Sequence, residues 1–342
     1  MRNSRMNKTV EMRAQKEESR ILNYSLRHAK NIERKMMGEA FARLTPLLPL
    51  TKYRYVGFGS EFFNDFSLYH QTLGIRDMIS IERDVERIER CNFNQPYKCV
   101  EVMSGTATEV LPQLQWSSPT IVWLDYVSKL DKSIVDDIRF VASQVVSGSL
   151  GIWTVNAHPW GGHEDQETHE KVKQSDWPKR RLDKLRNLFG TSRTFPELTG
   201  SELANWGLAL LFYEIIVDEI QRALNDRNAG AMAEDRIEFR QCFHFRYADG
   251  TRMLTVGGVF LKPEDKKKLG EDPFAELDFT RDGKDSFEIK PPILTGREVR
   301  YLNKLLPHNE KEMPKVGWLT AEQLENFRKL YRYYPIFAES EL

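Results

Sequence analysis

The chain has 342 residues, 40% of them hydrophobic, and its 50 Lys and Arg balance 50 Asp and Glu to a formal net charge of zero. This is globular composition with length for one large domain plus appended pieces, and zero net charge excludes a global field that would gather nucleic acid or anionic lipid. Cys91, Cys99 and Cys242 form no CxxC pair, and the N-terminus lacks a signal peptide's apolar stretch, so reduced thiols, a cytoplasmic location and no disulfide or zinc site are expected. No apolar run reaches the roughly 18 residues of a membrane span, so no membrane partner is expected either.

Residues 1–20 have almost no apolar spacing and are expected to be a disordered tail. From 21 to 50, Ile21, Leu22, Leu26, Ile32, Met36, Met37, Ala40 and Leu44 recur at helical spacing, then Pro46 and Pro49 end the pattern. Over 51–262, short apolar strands alternate with helical patterns. They are YRYVGF, FFNDFSLYHQTLG, DMISIER, VERIERCNF, CVEVMS, TATEVLPQL, TIVWLDYV, IVDDIRFVASQVV and SLGIWTVNA. Five strands joined by crossovers predict a parallel Rossmann-like α/β sheet with helices on both faces. Residues 158–199, polar and weakly periodic, are expected to be an insertion. A helix near 205–224 precedes two β-rich runs joined at Asp249-Gly250, a strong hairpin signal. A parallel sheet finished by an antiparallel hairpin is the class I methyltransferase arrangement. Residues 263–342 are expected to be a small helical appendage.

Gly57, Phe58, Gly59 and Ser60 close the first strand and open a helix, where missing side chains let a ligand approach the backbone. Glu82 ends the next strand, 23 residues after Gly59, where a carboxylate can accept from both hydroxyls of a ribose. Arg83 follows it and is grouped with it. Position 62 is Phe where a dinucleotide pattern wants a third glycine. Glu61 and Asp65 near the helix start would repel a pyrophosphate and suit a ligand carrying an ammonium and a sulfonium. These features favour S-adenosylmethionine over NAD, with dipole complementation as the plainer role of the two carboxylates. Gly105 and Thr106 form the loop and cap after the third strand. Asp125 and Tyr126 emerge at the carboxyl end of the fourth strand, beside the switch point where open α/β sheets bind ligands, and are the catalytic candidates. Asp125 would hold the acceptor or the methionine ammonium, or else merely cap the next helix. Asn156 and His158 emerge at the same edge as weaker acceptor-side candidates. His158, His163 and His169 match no metal-ligand spacing, so no metal site is expected.

The strings YVGFGSEFFNDF, MISIERD, SGTATEVLP and IVWLDY, preceded by YSLRHAKNIERKM, resemble a bacterial family of O-methyltransferase-like proteins over about 24–261. The resemblance implies a class I fold, with Gly57 and Gly59 in the first motif, Glu82 in the second, Thr106 and Ala107 near the adenine, and Asp125 in the fourth. Arg27, Lys30, Glu33, Arg34 and Lys35 match its N-terminal motif. They would close over a cofactor carboxylate or substrate phosphate, or form a surface ion-pair ladder. The expected function is methyl transfer from S-adenosylmethionine to an unidentified acceptor. Bulky Phe58, Phe62 and Phe63 around the two glycines carry a competing reading, a degenerate fold serving as a scaffold with a protein partner in a bacterial defence or nucleic-acid-processing assembly.

Overall fold

Strand periodicity and turn chemistry produce a single eight-stranded sheet. The structure is a computed structural model that describes residues 27–335, apart from 166–167, 191–192, 196, 271–272 and 309–314. The expected tail over 1–20, and Ile21, Leu22 and Leu26, lie outside the described residues. The strands are β1 (Arg54–Gly57), β2 (Asp77–Glu82), β3 (Val100–Ser104), β4 (Thr120–Asp125), β5 (Leu150–Asn156), β6 (Glu238–Ala248), β7 (Arg252–Leu261) and β8 (Phe287–Glu288). Their spatial order is β3-β2-β1-β4-β5-β7-β6-β8. The first five run parallel, β7 pairs antiparallel with β5 and β6, and β8 adds a parallel edge to β6. The order reverses between β1 and β4, and this topological switch point places a crevice beyond their carboxyl ends.

Among the described residues, the helices are α1 (His28–Ala42), α2 (Asn64–Leu73), α3 (Ile88–Phe93), α4 (Ala107–Val110), α5 (Lys132–Gln144), α6 (Trp177–Phe189), α7 (Gly207–Asn228), α8 (Pro263–Leu269), α9 (Gly296–Asn303) and α10 (Ala321–Leu330). One face of the sheet is packed by α1, α2 and the C-terminal segment, through Met36, Phe41, Phe66, Tyr69, Phe243 and Phe327. The other face carries α4, α5 and α7, through Ile138, Val141, Phe212 and Ile216. In α5 the buried Ile134, Val135, Ile138, Val141 and Ala142 follow helical spacing, and Asp131 caps the first turn by accepting from Ile134 N at 3.0 Å. No helix among the described residues is long and apolar enough to cross a membrane.

Two segments pack more tightly than their composition suggests. The 158–199 insertion holds α6, whose Trp177, Leu185 and Phe189 are buried; Arg181 turns inward to donate to the Trp160 carbonyl at 2.8 Å. Arg181, one of the basic residues on this helix, therefore serves a structural contact. Residues after 262 share the α1 core: Lys35 Nζ donates to the Tyr333 carbonyl, Arg332 pairs with Glu39 at 2.9 Å, and Tyr333 donates to the same Glu39. A bulge in β6 between Gln241 and Phe243 leaves the Cys242 carbonyl to accept from Arg281 N at 2.9 Å.

Candidate active site

A cavity of about 590 Å³ opens at the switch point, within the range of small-molecule sites. Phe58, Gly59 and Ser60 after β1, Glu82 and Arg83 at the end of β2, Gly105, Thr106 and Ala107 after β3, and Asp125 and Tyr126 at the end of β4 all line it. Strand topology thus gathers four turns that are distant in sequence. Arg34, Asp65 and Asp137 line it as well.

The first turn is held in unusual backbone geometry, since Ser60 and Phe63 have φ of 51° and 47°. Gly59 donates its N–H to Ser80 Oγ at 3.1 Å, and a Cβ there would lie 2.4 Å from that oxygen and 2.7 Å from the Phe63 ring. This glycine is demanded by packing between β2 and the turn. Its close approach is to protein. Gly57 is buried behind the turn, outside the residues that line the cavity.

Glu82 accepts from Asp84 N at 2.9 Å with Oε1, and Cys91 Sγ lies 3.8 Å from Oε2. Burial and then Glu82 push the Cys91 thiol up to about 11. Glu61 does not present free negative charge, because Arg87 and Arg90 each bind one of its oxygens at 2.9 Å. Its expected attraction for a cationic ligand is cancelled by partners on the following crossover. Asp65 is buried in the first turn of α2 and accepts from the Tyr55 hydroxyl. Burial holds its carboxyl above the usual range, against the opposing pull of Arg34 and Tyr55.

Asp125 ends β4 with its side chain 24% exposed, and its Oδ1 lies 2.8 Å from Lys30 Nζ. Lys30 is buried on α1, sits 4.4 Å over the Trp123 ring, and also meets Glu33 at 2.8 Å. Glu33 is fully buried and accepts from Tyr247 at 3.1 Å and from Thr255. Lys30 and Glu33 thus form an interior network in place of a surface ladder, and Lys30 lies outside the residues that line the cavity. Arg27, Asn156 and His158 likewise lie outside the cavity lining. Asn156 instead accepts from His158 N at 2.9 Å, closing the turn after β5.

Tyr126 faces the cavity against Phe58, with ring centroids 5.1 Å apart. Its hydroxyl donates to Asp137 at 2.7 Å, and Thr108 donates to the other oxygen of Asp137 at 2.8 Å. The hydroxyl is thus engaged with the wall of the cavity through Asp137. Thr106 and Glu109 form a capping box on α4, so Thr106 caps a helix and borders the cavity at once. Arg34 and Asp65 are already expected near a ligand from the sequence, whereas Asp137 is not singled out there. Its only sequence signal is a charge on an otherwise apolar helical face.

A doubly wound sheet closed by an antiparallel hairpin, with its cavity at the β1/β4 switch point, defines a class I Rossmann-like methyltransferase. The chain belongs to the family described as "Putative O-methyltransferase", which it matches over residues 22–342. S-adenosylmethionine is accordingly its cofactor. No curated protein matches the sequence. Among solved structures it is similar to a spermidine synthase from Thermotoga maritima, with 9% identity, TM-score 0.35, and coverage of 74% of this chain and 68% of that one. It is also similar to a "putative S-adenosylmethionine dependent methyltransferase from Listeria monocytogenes", with 12% identity, TM-score 0.36, and coverage of 65% and 98%. A further match, MtNAS, is spanned over only 44% of its own length.

Proposed function

We propose that the protein transfers the methyl group of S-adenosylmethionine to an acceptor held beside Asp125. The observation that carries this is that Glu82 and Asp125, ending the strands on either side of β1, line one cavity. The donor set fits the cofactor. Among the described residues each carboxylate oxygen of Glu82 has one protein donor, and a carboxylate accepts about four hydrogen bonds, so positions are left for a ribose diol. Ile81 and Ala107 offer apolar surface for an adenine, and Arg34 offers a counter-charge for a carboxylate.

The cofactor supplies a preactivated methyl group, and the protein's task is alignment. Lys30 fixes Asp125 from behind, so the carboxylate is oriented before any ligand arrives. It is suited to receive the acceptor's hydrogen bond or the cofactor ammonium. Tyr126 tethers Asp137 at the start of the next crossover and keeps that wall in place.

Calorimetric titration with S-adenosylmethionine tests the reading. Wild type should bind with one-site stoichiometry, and Glu82→Ala should weaken binding by at least about tenfold, as loss of a charged hydrogen-bond acceptor does. Absence of binding to wild type would instead leave the degenerate scaffold.

A further inference from the structure

We infer that the acceptor held beside Asp125 is an amine, so that the methyl group passes to nitrogen. This rests on the methyl-transfer reading above and names the substrate class of that same cavity. The family description names oxygen, whereas the charge and chemistry of the wall point to the other nucleophile.

The wall is acidic. Six carboxylates line the cavity against three guanidiniums, and neither a lysine nor a histidine is among the residues that line it. Glu61 is held by Arg87 and Arg90, which leaves five carboxylates facing Arg34 and Arg83. S-adenosylmethionine carries a sulfonium, an ammonium and a carboxylate, and that single net positive charge does not balance the wall.

Asp125 sets where the excess is felt. Its Oδ1 shares the Lys30 ammonium with the fully buried Glu33, so one positive charge serves two carboxylates. Among the described residues no protein donor meets its Oδ2, and Asp125 lines the cavity. Asp125 also adds to the burial that holds the Asp65 carboxyl above its usual range, so the two carboxylates repel at this end. A cation placed there relieves the repulsion. A carboxylate or phenolate acceptor would add to it. The Phe58, Phe62, Trp123 and Tyr126 rings line the same cavity, and Lys30 already sits 4.4 Å over Trp123, so this wall tolerates an ammonium against its ring faces.

The transfer itself favours nitrogen. The lone pair of a neutral amine forms the N–C bond as the C–S bond breaks, and the C–S electron pair stays on sulfur. A methylated ammonium and a thioether result. Positive charge thus leaves sulfur and arrives on nitrogen, so a carboxylate accepting the amine N–H holds the lone pair in line and binds the transition state more strongly than the ground state. The proton that makes the resting amine an ammonium passes to bulk water before attack, and the product sheds its extra proton the same way. A hydroxyl acceptor must instead give up its proton as it reacts, and the imidazole that most often takes one is missing from this wall.

The test is calorimetric titration of the protein, loaded with S-adenosylhomocysteine, with benzylamine, benzyl alcohol and benzoate, three probes of nearly one shape that differ in charge. At neutral pH benzylamine should bind at least about tenfold tighter than the alcohol, the size of one charge-assisted contact, and benzoate should be weakest. Asp125→Asn should largely abolish the advantage of the amine. Asp65→Asn, whose amide oxygen still accepts from the Tyr55 hydroxyl, should narrow it, and decides the matter if Asp125→Asn does not fold. An advantage that survives both substitutions, tighter binding of the alcohol or benzoate, or absence of amine binding at high millimolar concentration overturns the inference. The chemistry is read separately from the product that labelled S-adenosylmethionine gives in a cell extract. Label that resists mild alkali and is retained on a cation exchanger at acid pH supports transfer to nitrogen, and label that alkali releases or that stays in a neutral product overturns it. If S-adenosylmethionine fails to bind while benzylamine keeps its advantage in the unloaded protein, the methyl-transfer reading falls and the amine site stands. If S-adenosylmethionine binds and the amine has no advantage, the amine class alone falls.

Discussion

Lys30 Nζ lies 2.8 Å from Asp125 Oδ1, joining the N-terminal helix to the carboxyl end of β4. The same ammonium is 2.8 Å from Glu33, which is fully buried, so removing it strands a carboxylate in the core. Lys30→Met should cost roughly 3–5 kcal/mol, the usual effect of breaking a buried ion pair. Adding Glu33→Gln should restore much of that, since the amide oxygen still accepts from one of Thr255 and Tyr247 while its NH2 donates to the other hydroxyl. Urea denaturation measures both, and equal stability of Lys30→Met and wild type would refute the bridge.

Gly59 leaves no room for a side chain between Ser80 and Phe63. Gly59→Ala should therefore destabilise by about 1–3 kcal/mol through overpacking. The fall should appear in thermal melting with no ligand present. If the substitution lowered cofactor affinity but left stability untouched, the glycine would be serving the ligand instead of the fold.

The Tyr126 hydroxyl donates to Asp137, a group whose carboxyl is held above its usual range by burial and pulled back by Tyr126 and Thr108. A raised carboxyl favours the protonated folded state, so Asp137 weakens the fold as pH rises through its folded value. Tyr126→Phe removes part of the opposing pull. Its loss of roughly 1–3 kcal/mol at neutral pH should shrink near pH 4, about the ordinary carboxylate value. Denaturation curves across that interval decide it, and a pH-independent loss would show that the hydroxyl acts by packing alone.

His158 is held below its ordinary value by burial first and then by Arg252 and Lys129. Its NMR titration midpoint should fall below about 6.5, the unperturbed imidazole value, and Arg252→Ala should raise it. For this sign of shift, the contribution to stability is present above the unfolded value and is lost as pH falls through the folded one. An unchanged midpoint in the variant would separate Arg252 from this edge of the sheet.

The alternation of apolar strands with helical patterns, the hairpin at Asp249-Gly250, and the acidic residues at the ends of the second and fourth strands were legible because each depends on local periodicity and on a rule of sheet topology. Those signals sufficed for the fold class and for naming Glu82 and Asp125. They could not show that Lys30 faces inward, that Glu61 is taken by Arg87 and Arg90, or that Gly59 serves Ser80 and Phe63. Nor could they show that Tyr333 and Arg332 close on Glu39 across the length of the chain. Each of these turns on which side chain meets a given charge or cavity. Partners brought together by long-range packing leave no mark in local spacing, and burial is what makes their charges costly when unpaired. The amino-acid order determined where the cleft would form, and the tertiary contacts decided which of its charged residues remain to meet a ligand.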